Sequence, residues 1–172
     1  MQANVSPFIS AAVRKSLNEA NNVFVFAGAG ISAESFDGLH QQAGSERVVE
    51  LHGNIWKARC RNCSHCLELR NASPTEMRGA CLSFCGKLRT DVVLFGEMLP
   101  TGAFERAVAG AENCDICLIV GTSGMVYPAA ALPSIAKRAG TFVVEINCEE
   151  TPLSEICDEV IKGKAGEVIP LL

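Results

Sequence analysis

The run Val23-Phe24-Val25-Phe26-Ala27-Gly28-Ala29-Gly30-Ile31-Ser32-Ala33-Glu34-Ser35 constrains this chain more than any other stretch. Apolar, mostly β-forming residues lead straight into a turn with glycine at two of its first three positions. A strand of a parallel sheet, covered on both faces, reads this way. Bare glycines let the backbone approach a bulky anionic ligand. The spacing G-x-G-x-x-A, with Ala33 in the last small position, fits a dinucleotide-binding turn. A plain tight connection would be spelled similarly, so the rest of the chain has to decide.

With 172 residues, 48% of them hydrophobic, the chain can build one sizeable core, with room for a small insert. The net charge of −4 offers no broad basic face, which argues against nucleic acid as the main partner. No apolar run reaches the length of a membrane span, and the N-terminus lacks the secretory pattern. No membrane partner is therefore expected. The nine cysteines fit metal-bound or free thiols in a reducing, intracellular compartment better than a disulfide framework. The cytoplasm is the first expectation, with mitochondrion and nucleus open.

Ser6 and Pro7 predict a helix start, with Phe8, Ile9, Ala12, Val13 and Leu17 as its buried stripe. After Ser35, residues 36–44 read as a short helix closed by Gly44. Arg47 to Leu51 reads as a second strand that would deliver His52-Gly53 at its C-terminal end, where open α/β sheets place ligands. On local grounds alone, a histidine before glycine is more often a structural turn residue than a catalytic one.

Between Cys60 and Cys85 the composition turns small and polar. Cys60-x-x-Cys63 and Cys81-x-x-x-Cys85 are two close pairs, each able to grip one edge of a zinc tetrahedron. Four thiolates leave no open coordination position, so one structural zinc ion is expected, with His65 and Cys66 as bystanders. Asp91 to Phe95 then resumes the sheet, and Thr101 caps a helix through Ala111. Cys114 to Val120 is the next strand, its C-x-x-C read as buried free thiols. Pro128 to Arg138 is a helix, Thr141 to Ile146 a strand, and a last short strand and helix fill Val160 to Leu172. Strands alternate with helices, and small or polar residues follow the strand ends. The pattern predicts an α/β fold, a doubly wound parallel (Rossmann-like) sheet over residues 1–59 and 87–172, with a four-cysteine zinc module at 60–86.

Taken together, Gly28 to Ser35, Asp37-Gly38-Leu39-His40, Leu51-His52-Gly53, the four cysteines, Val92-Val93-Leu94-Phe95-Gly96-Glu97, Gly121-Thr122-Ser123 and Ile146-Asn147 fall in the order of a sirtuin. The resemblance covers nearly the whole chain. Sirtuins are NAD-dependent protein-lysine deacylases that yield nicotinamide and O-acyl-ADP-ribose. The spelling of 28–35 and 121–128 looks most like the class III branch, which often prefers succinyl-, malonyl- or glutaryl-lysine over acetyl-lysine. The family pattern is interrupted once. Ser35 is joined directly to Phe36, where sirtuins carry Gly-Ile-Pro-x-Phe-Arg, a cofactor loop, a helical module and a strand ending in Thr-Gln-Asn. The absent segment would supply most of the nicotinamide pocket and the tyrosine and arginine that read an acidic acyl group.

The resemblance implies NAD as cofactor and acyl-lysine proteins or peptides as partners. Gly28, Ala29, Gly30, Ile31, Ser32, Ala33 and Glu34 would cradle the pyrophosphate, with Asp37 at the nicotinamide end. Gly121, Thr122, Ser123, Asn147, Cys148 and Glu149 would hold the adenosine half, with Ala165 at the adenine edge. His52 would be the general base on a ribose hydroxyl. Substrate would lie as an added strand along Val93, Phe95, Gly96 and Glu97 and along Val126 and Tyr127. The alternative is a catalytically impaired remnant that binds NAD, ADP-ribose or a protein partner.

Overall fold

The computed structural model describes residues 8–28, 38–63, 65–73, 76, 78–83 and 85–172. It divides into two compact units, Met1–Ser35 with Phe104–Leu172, and Phe36–Ala103. The strands are β1 (Val23–Ala27), β2 (Gly53–Cys60), β3 (Cys66–Glu68), β4 (Leu88–Val92), β5 (Ile116–Val120), β6 (Phe142–Asn147) and β7 (Glu159–Lys162). The α-helices are α1 (Ala11–Glu19), α2 (Leu39–Gln42), α3 (Ala103–Glu112), α4 (Leu132–Arg138) and α5 (Ala165–Val168).

The first unit is a four-stranded sheet in the order β1-β5-β6-β7, parallel throughout. Parallel strands covered on both faces need apolar residues at successive positions, and β5 meets this with Ile116-Cys117-Leu118-Ile119-Val120, all buried. On one face Ile116, Leu118, Val120, Val144, Ile146 and Ile161 pack with Ile9 and Val13 from the α1 segment and Val168 from α5. On the other, the Phe24 ring lies against Gly110 of α3, where an added Cβ would sit 3.3 Å from it. The expected Rossmann-like sheet is therefore present, with helices feeding its core.

Helix α1 starts later than its sequence suggests. Ser6 and Pro7 lie outside the described residues, and the cap is Ser10, whose Oγ accepts from the Val13 N–H at 3.2 Å. The same hydroxyl donates to a carboxylate oxygen of Glu159, the first residue of β7. Val13 is fully buried as expected, but Phe8 precedes the helix and is 83% exposed, and Ala12 faces solvent.

The second unit is a three-stranded antiparallel sheet, β3-β2-β4. Here two expected strands move. Residues 47–51 are not a strand: the Glu50 carboxylate is drawn to Gln41 Nε2 at 2.8 Å, to Asn54 Nδ2 and to Lys57 Nζ at 2.9 Å, and the ladder begins only at Gly53. The strand foreseen at Asp91 to Phe95 is Leu88–Val92, paired to β2 rather than to the parallel sheet. The segment 60–86 lies inside this second unit. Among the described residues no helix is long and apolar enough to cross a membrane.

Ser10 joins two distant parts of the first unit through one hydroxyl. Ser10→Ala removes the cap and the link to Glu159 together, and is expected to lower unfolding free energy by about 1–3 kcal/mol in urea denaturation.

Candidate functional site

The four parallel strands end at one edge, and the residues just beyond them form a cavity of about 400 Å3. Its lining comes from the end of β5 (Gly121), the end of β6 (Ile146, Asn147, Cys148), the turn after β7 (Gly163, Lys164) and the α5 segment (Ala165, Gly166, Ile169, Pro170). Crevices beyond the carboxyl ends of parallel strands are where such sheets bind ligands. Gly28, just past β1, packs closely on the loop after β5. Its N–H donates to the Val120 carbonyl at 3.0 Å, and a Cβ there would lie 2.5 Å from Thr122 Cβ and 2.6 Å from Thr122 Cα. Only glycine permits this approach of the two strand ends. Asn147 Nδ2 donates to the Thr122 carbonyl at 2.8 Å, tying the loops after β5 and β6 together.

Of the residues expected around a nucleotide, Gly121, Asn147, Cys148 and Ala165 line this one cavity, with Thr122 braced behind it. Ser123 and Glu149 are exposed on the same loops. Ala29, Gly30, Ile31, Ser32, Ala33, Glu34 and Asp37 lie outside the described residues. Gly163 and Lys164 escaped the sequence reading, although the rule that ligands gather past parallel strand ends applies to β7 as it does to β6. The cavity combines apolar walls (Ile146, Ile169, Pro170) with a side-chain amide, which suits a flat heterocycle on a hydrogen-bonding sugar.

In the second unit His52 sits in the turn before β2, at the N-terminal end of a strand and not the C-terminal end expected for it. Its carbonyl accepts from the Val93 N–H at 2.9 Å. Gly53 makes the turn possible, with φ of +80° and an added Cβ only 1.9 Å from the Asp91 carbonyl oxygen. The imidazole has no hydrogen-bond partner among the described residues, and its partial burial holds its pKa below 6.5, which keeps it neutral near pH 7. A neutral imidazole is a proton acceptor.

Past Val93 the chain turns sharply, exposing Phe95 (98%) and Met98 (92%). Arg89 holds this turn through a two-pronged pair with Glu97, while Leu94 N–H donates to the same carboxylate at 2.9 Å. These contacts push the Glu97 carboxyl down to about 2, Arg89 contributing most. Glu97, expected to meet substrate, thus also fixes the turn that carries Phe95. In the first unit Val126 and Tyr127 are exposed.

The sulfurs of Cys60, Cys63, Cys81 and Cys85 lie within 4.8 Å of one another. The closest separations are 3.1 Å (Cys63–Cys85), 3.5 Å (Cys60–Cys85 and Cys81–Cys85) and 3.7 Å (Cys63–Cys81). A zinc tetrahedron with bonds near 2.3 Å has edges of about 3.8 Å, so the donor set fits that ion. The Asn62 N–H donates to the Cys60 sulfur and lowers its pKa, favouring the thiolate a metal needs. Cys66 is exposed and outside the cluster, and the His65 ring pairs instead with Glu76 at 3.1 Å. Cys117 is buried within β5, which pushes its thiol up to about 12, as suits an inert core cysteine.

Two measurements follow. The purified chain should carry about one zinc, and Cys81→Ser should reduce that to a small fraction in metal analysis by mass spectrometry. Because the folded Glu97 pKa is depressed, its contribution holds above about pH 4.5 and fades as pH falls through about 2. The carboxyl carbon shift of Glu97 should titrate near that lower value in NMR, and Arg89→Met should return it toward the usual range near 4.

Comparison with known proteins supplies the family. A match to the Sir2 family covers residues 27–128, more than half of the chain. NAD-dependent protein deacylase 2 of Pyrobaculum aerophilum is 51% identical over 143 residues, which cover 83% of this chain and 57% of the relative. NAD-dependent protein deacylase of Thermococcus kodakarensis is 45% identical over 164 residues, 92% of this chain and 63% of the relative. The chain thus spans about three-fifths of the length of these relatives. Among solved structures, a Sir2 homologue–NAD complex superposes with a TM-score of 0.86 at 28% identity, covering 94% of this chain and 91% of that one. Sir2Af2 bound to a myristoylated histone peptide superposes at 0.77 with 32% identity, covering 91% of each. With its parallel sheet, its cysteine quartet and these matches, the chain belongs to the Sir2 family.

Proposed function

We propose that this chain binds NAD and removes acyl groups from protein lysines. The observation that carries the reading is the cavity past β5, β6 and β7, where Gly121, Asn147, Cys148 and Ala165 come together as a nucleotide would require. NAD would supply an activated ribose carbon and a good leaving group. Asn147 would hold the adenosine half by hydrogen bonding and the walls around Ile146 and Ile169 would take the base. The close approach of Gly28 to Thr122 would leave room for the pyrophosphate. His52 would accept the proton of a ribose hydroxyl, a task for which burial keeps its imidazole unprotonated. The exposed backbone and apolar side chains of 93–98, and separately those of 125–127, suit an extended peptide held by main-chain hydrogen bonds. The four-cysteine site would hold zinc structurally, and so thiol-rich a chain suits a reducing compartment.

A second reading has its own observation. The chain passes from Ser35 directly to Phe36, the two compact units part at the same position, and the relatives are much longer. A chain without the intervening segment would keep the adenosine end of the site and bind NAD or ADP-ribose without turnover. Mass-spectrometric assay of acetyl- and succinyl-lysine peptides with and without NAD, beside calorimetric titration with ADP-ribose, separates the readings. NAD-dependent product supports deacylation and reports the acyl preference. ADP-ribose binding with no product from folded protein supports the remnant.

His52→Ala is expected to cut turnover at least a hundredfold while ADP-ribose affinity stays the same. With the wild-type imidazole as base, the rate should rise with pH through a midpoint below 6.5 and level off above it. A flat profile across that range would remove His52 from the proton transfer.

A further inference from the structure

Glu145 is the one acidic residue in β6, it is fully buried, and nothing in the proposed chemistry uses it. Its β5 neighbour in register is Ile119, and Val143 and Val144 beside it are buried too. A carboxyl group in such surroundings is costly unless both oxygens find partners. Both do. Thr151 Oγ1 donates to Oε1 at 2.7 Å, and Ser154 Oγ donates to Oε2. The two hydroxyls are then locked to the backbone of their own turn. Ser154 Oγ accepts from Thr151 N–H at 2.9 Å, Thr151 Oγ1 accepts from Leu153 N–H at 3.1 Å, and Ser154 N–H donates to the Thr151 carbonyl at 3.0 Å.

That turn reaches the neighbouring loop. Leu153 is buried against Gly124, where an added Cβ would lie 2.6 Å from Leu153 Cγ. Gly124 N–H in turn donates to Thr122 Oγ1 at 3.3 Å, and the Thr122 carbonyl accepts from Asn147 Nδ2. A continuous set of contacts therefore runs from Glu145 in the sheet, through residues 151–154, to residues 122–124 and back to Asn147. Gly121, Asn147 and Cys148 at the ends of these loops line the cavity.

We propose that Glu145 is a positioning residue for the nucleotide cavity: from inside the sheet it fixes the Thr151–Ser154 turn, and through Leu153 on Gly124 it sets the loops after β5 and β6 at one spacing. The ligand part of this inference rests on the proposed reading of the cavity as a nucleotide site. The Thr151→Val/Ser154→Ala double variant removes both hydroxyls and leaves the cavity lining untouched. Glu145→Gln keeps one oxygen to accept and an amide to donate, and so retains both links.

The double variant should bind ADP-ribose about tenfold more weakly by calorimetry, with Glu145→Gln within about threefold of wild type. In ligand-free protein, amide exchange at residues 121–124 and 147–154 should quicken about tenfold in the double variant, while exchange in β5 and β6 stays as it was. A merely structural role would quicken the sheet as well. Thr151→Val alone gives the same comparison with a smaller shift if the double variant does not fold. Unchanged exchange in those loops, or quickening spread evenly through the sheet, overturns the proposal. Failure of the wild-type chain to bind ADP-ribose overturns the nucleotide reading instead, and the ligand-free exchange rates still decide whether Glu145 holds the loops.

Discussion

Parallel pairing is the constraint from which the first unit follows. Strands that run the same way must all deliver their last residues to one edge, and each needs a crossover before the next begins. The register from Val23↔Ile116 to Ala27↔Val120, continued from β5 to β6 and β7, aligns those ends closely. What lies beyond them is then forced together: Gly28 on Thr122, Asn147 on the Thr122 carbonyl, Gly163 N–H on the Asn147 carbonyl at 2.9 Å. The cavity is a consequence of strand direction, and side chains only furnish it.

The second unit depends on a different economy of forces. Its sheet has three strands, and among the described residues its buried hydrophobic side chains are Ala58, Cys60, Cys81 and Ala103, with Asn54 and Glu76 the buried polar ones. Too little apolar surface leaves water there to offset chain entropy by itself. Crosslinking by metal fits that shortfall. Backbone bonds already shape both cysteine turns, with Cys60 N–H donating to the His65 carbonyl at 2.9 Å and Cys81 N–H to Gly86 at 3.2 Å. Glu76 then holds the His65 ring, so the residue beside the first turn is anchored without competing for the ion.

How far the chain was legible depends on how local each signal is. The unbroken apolar run of β5 and the two cysteine pairs could be read directly, because burial and tetrahedral coordination write themselves into neighbouring positions. Pairing partners could not. Leu88–Val92 has the look of any strand, and its antiparallel match to β2 rests on residues some thirty positions away, with a bulge between Asn54 and Ala58. Arg47 to Leu51 has strand-like valines, yet Glu50 bonds Gln41, Asn54 and Lys57 and closes a turn. His52 is legible from its motif, but its place just before β2 rather than after a strand is not. Ser10 as the cap of α1 is not legible locally, because its hydroxyl also bonds Glu159, far along the chain.

Sheet order also shows which half of a doubly wound sheet carries the cavity. A doubly wound dinucleotide fold has two halves, and in the order 3-2-1-4-5-6 the first strand sits between them. Here β1 is followed by β5, β6 and β7, which matches the 1-4-5-6 half. Among the described residues no strand pairs with the other edge of β1, and Val23 and Val25 are about half exposed. The residues that line the cavity past β5, β6 and β7 all come from this 1-4-5-6 half. That cavity is therefore built without a strand on the far edge of β1 among the described residues.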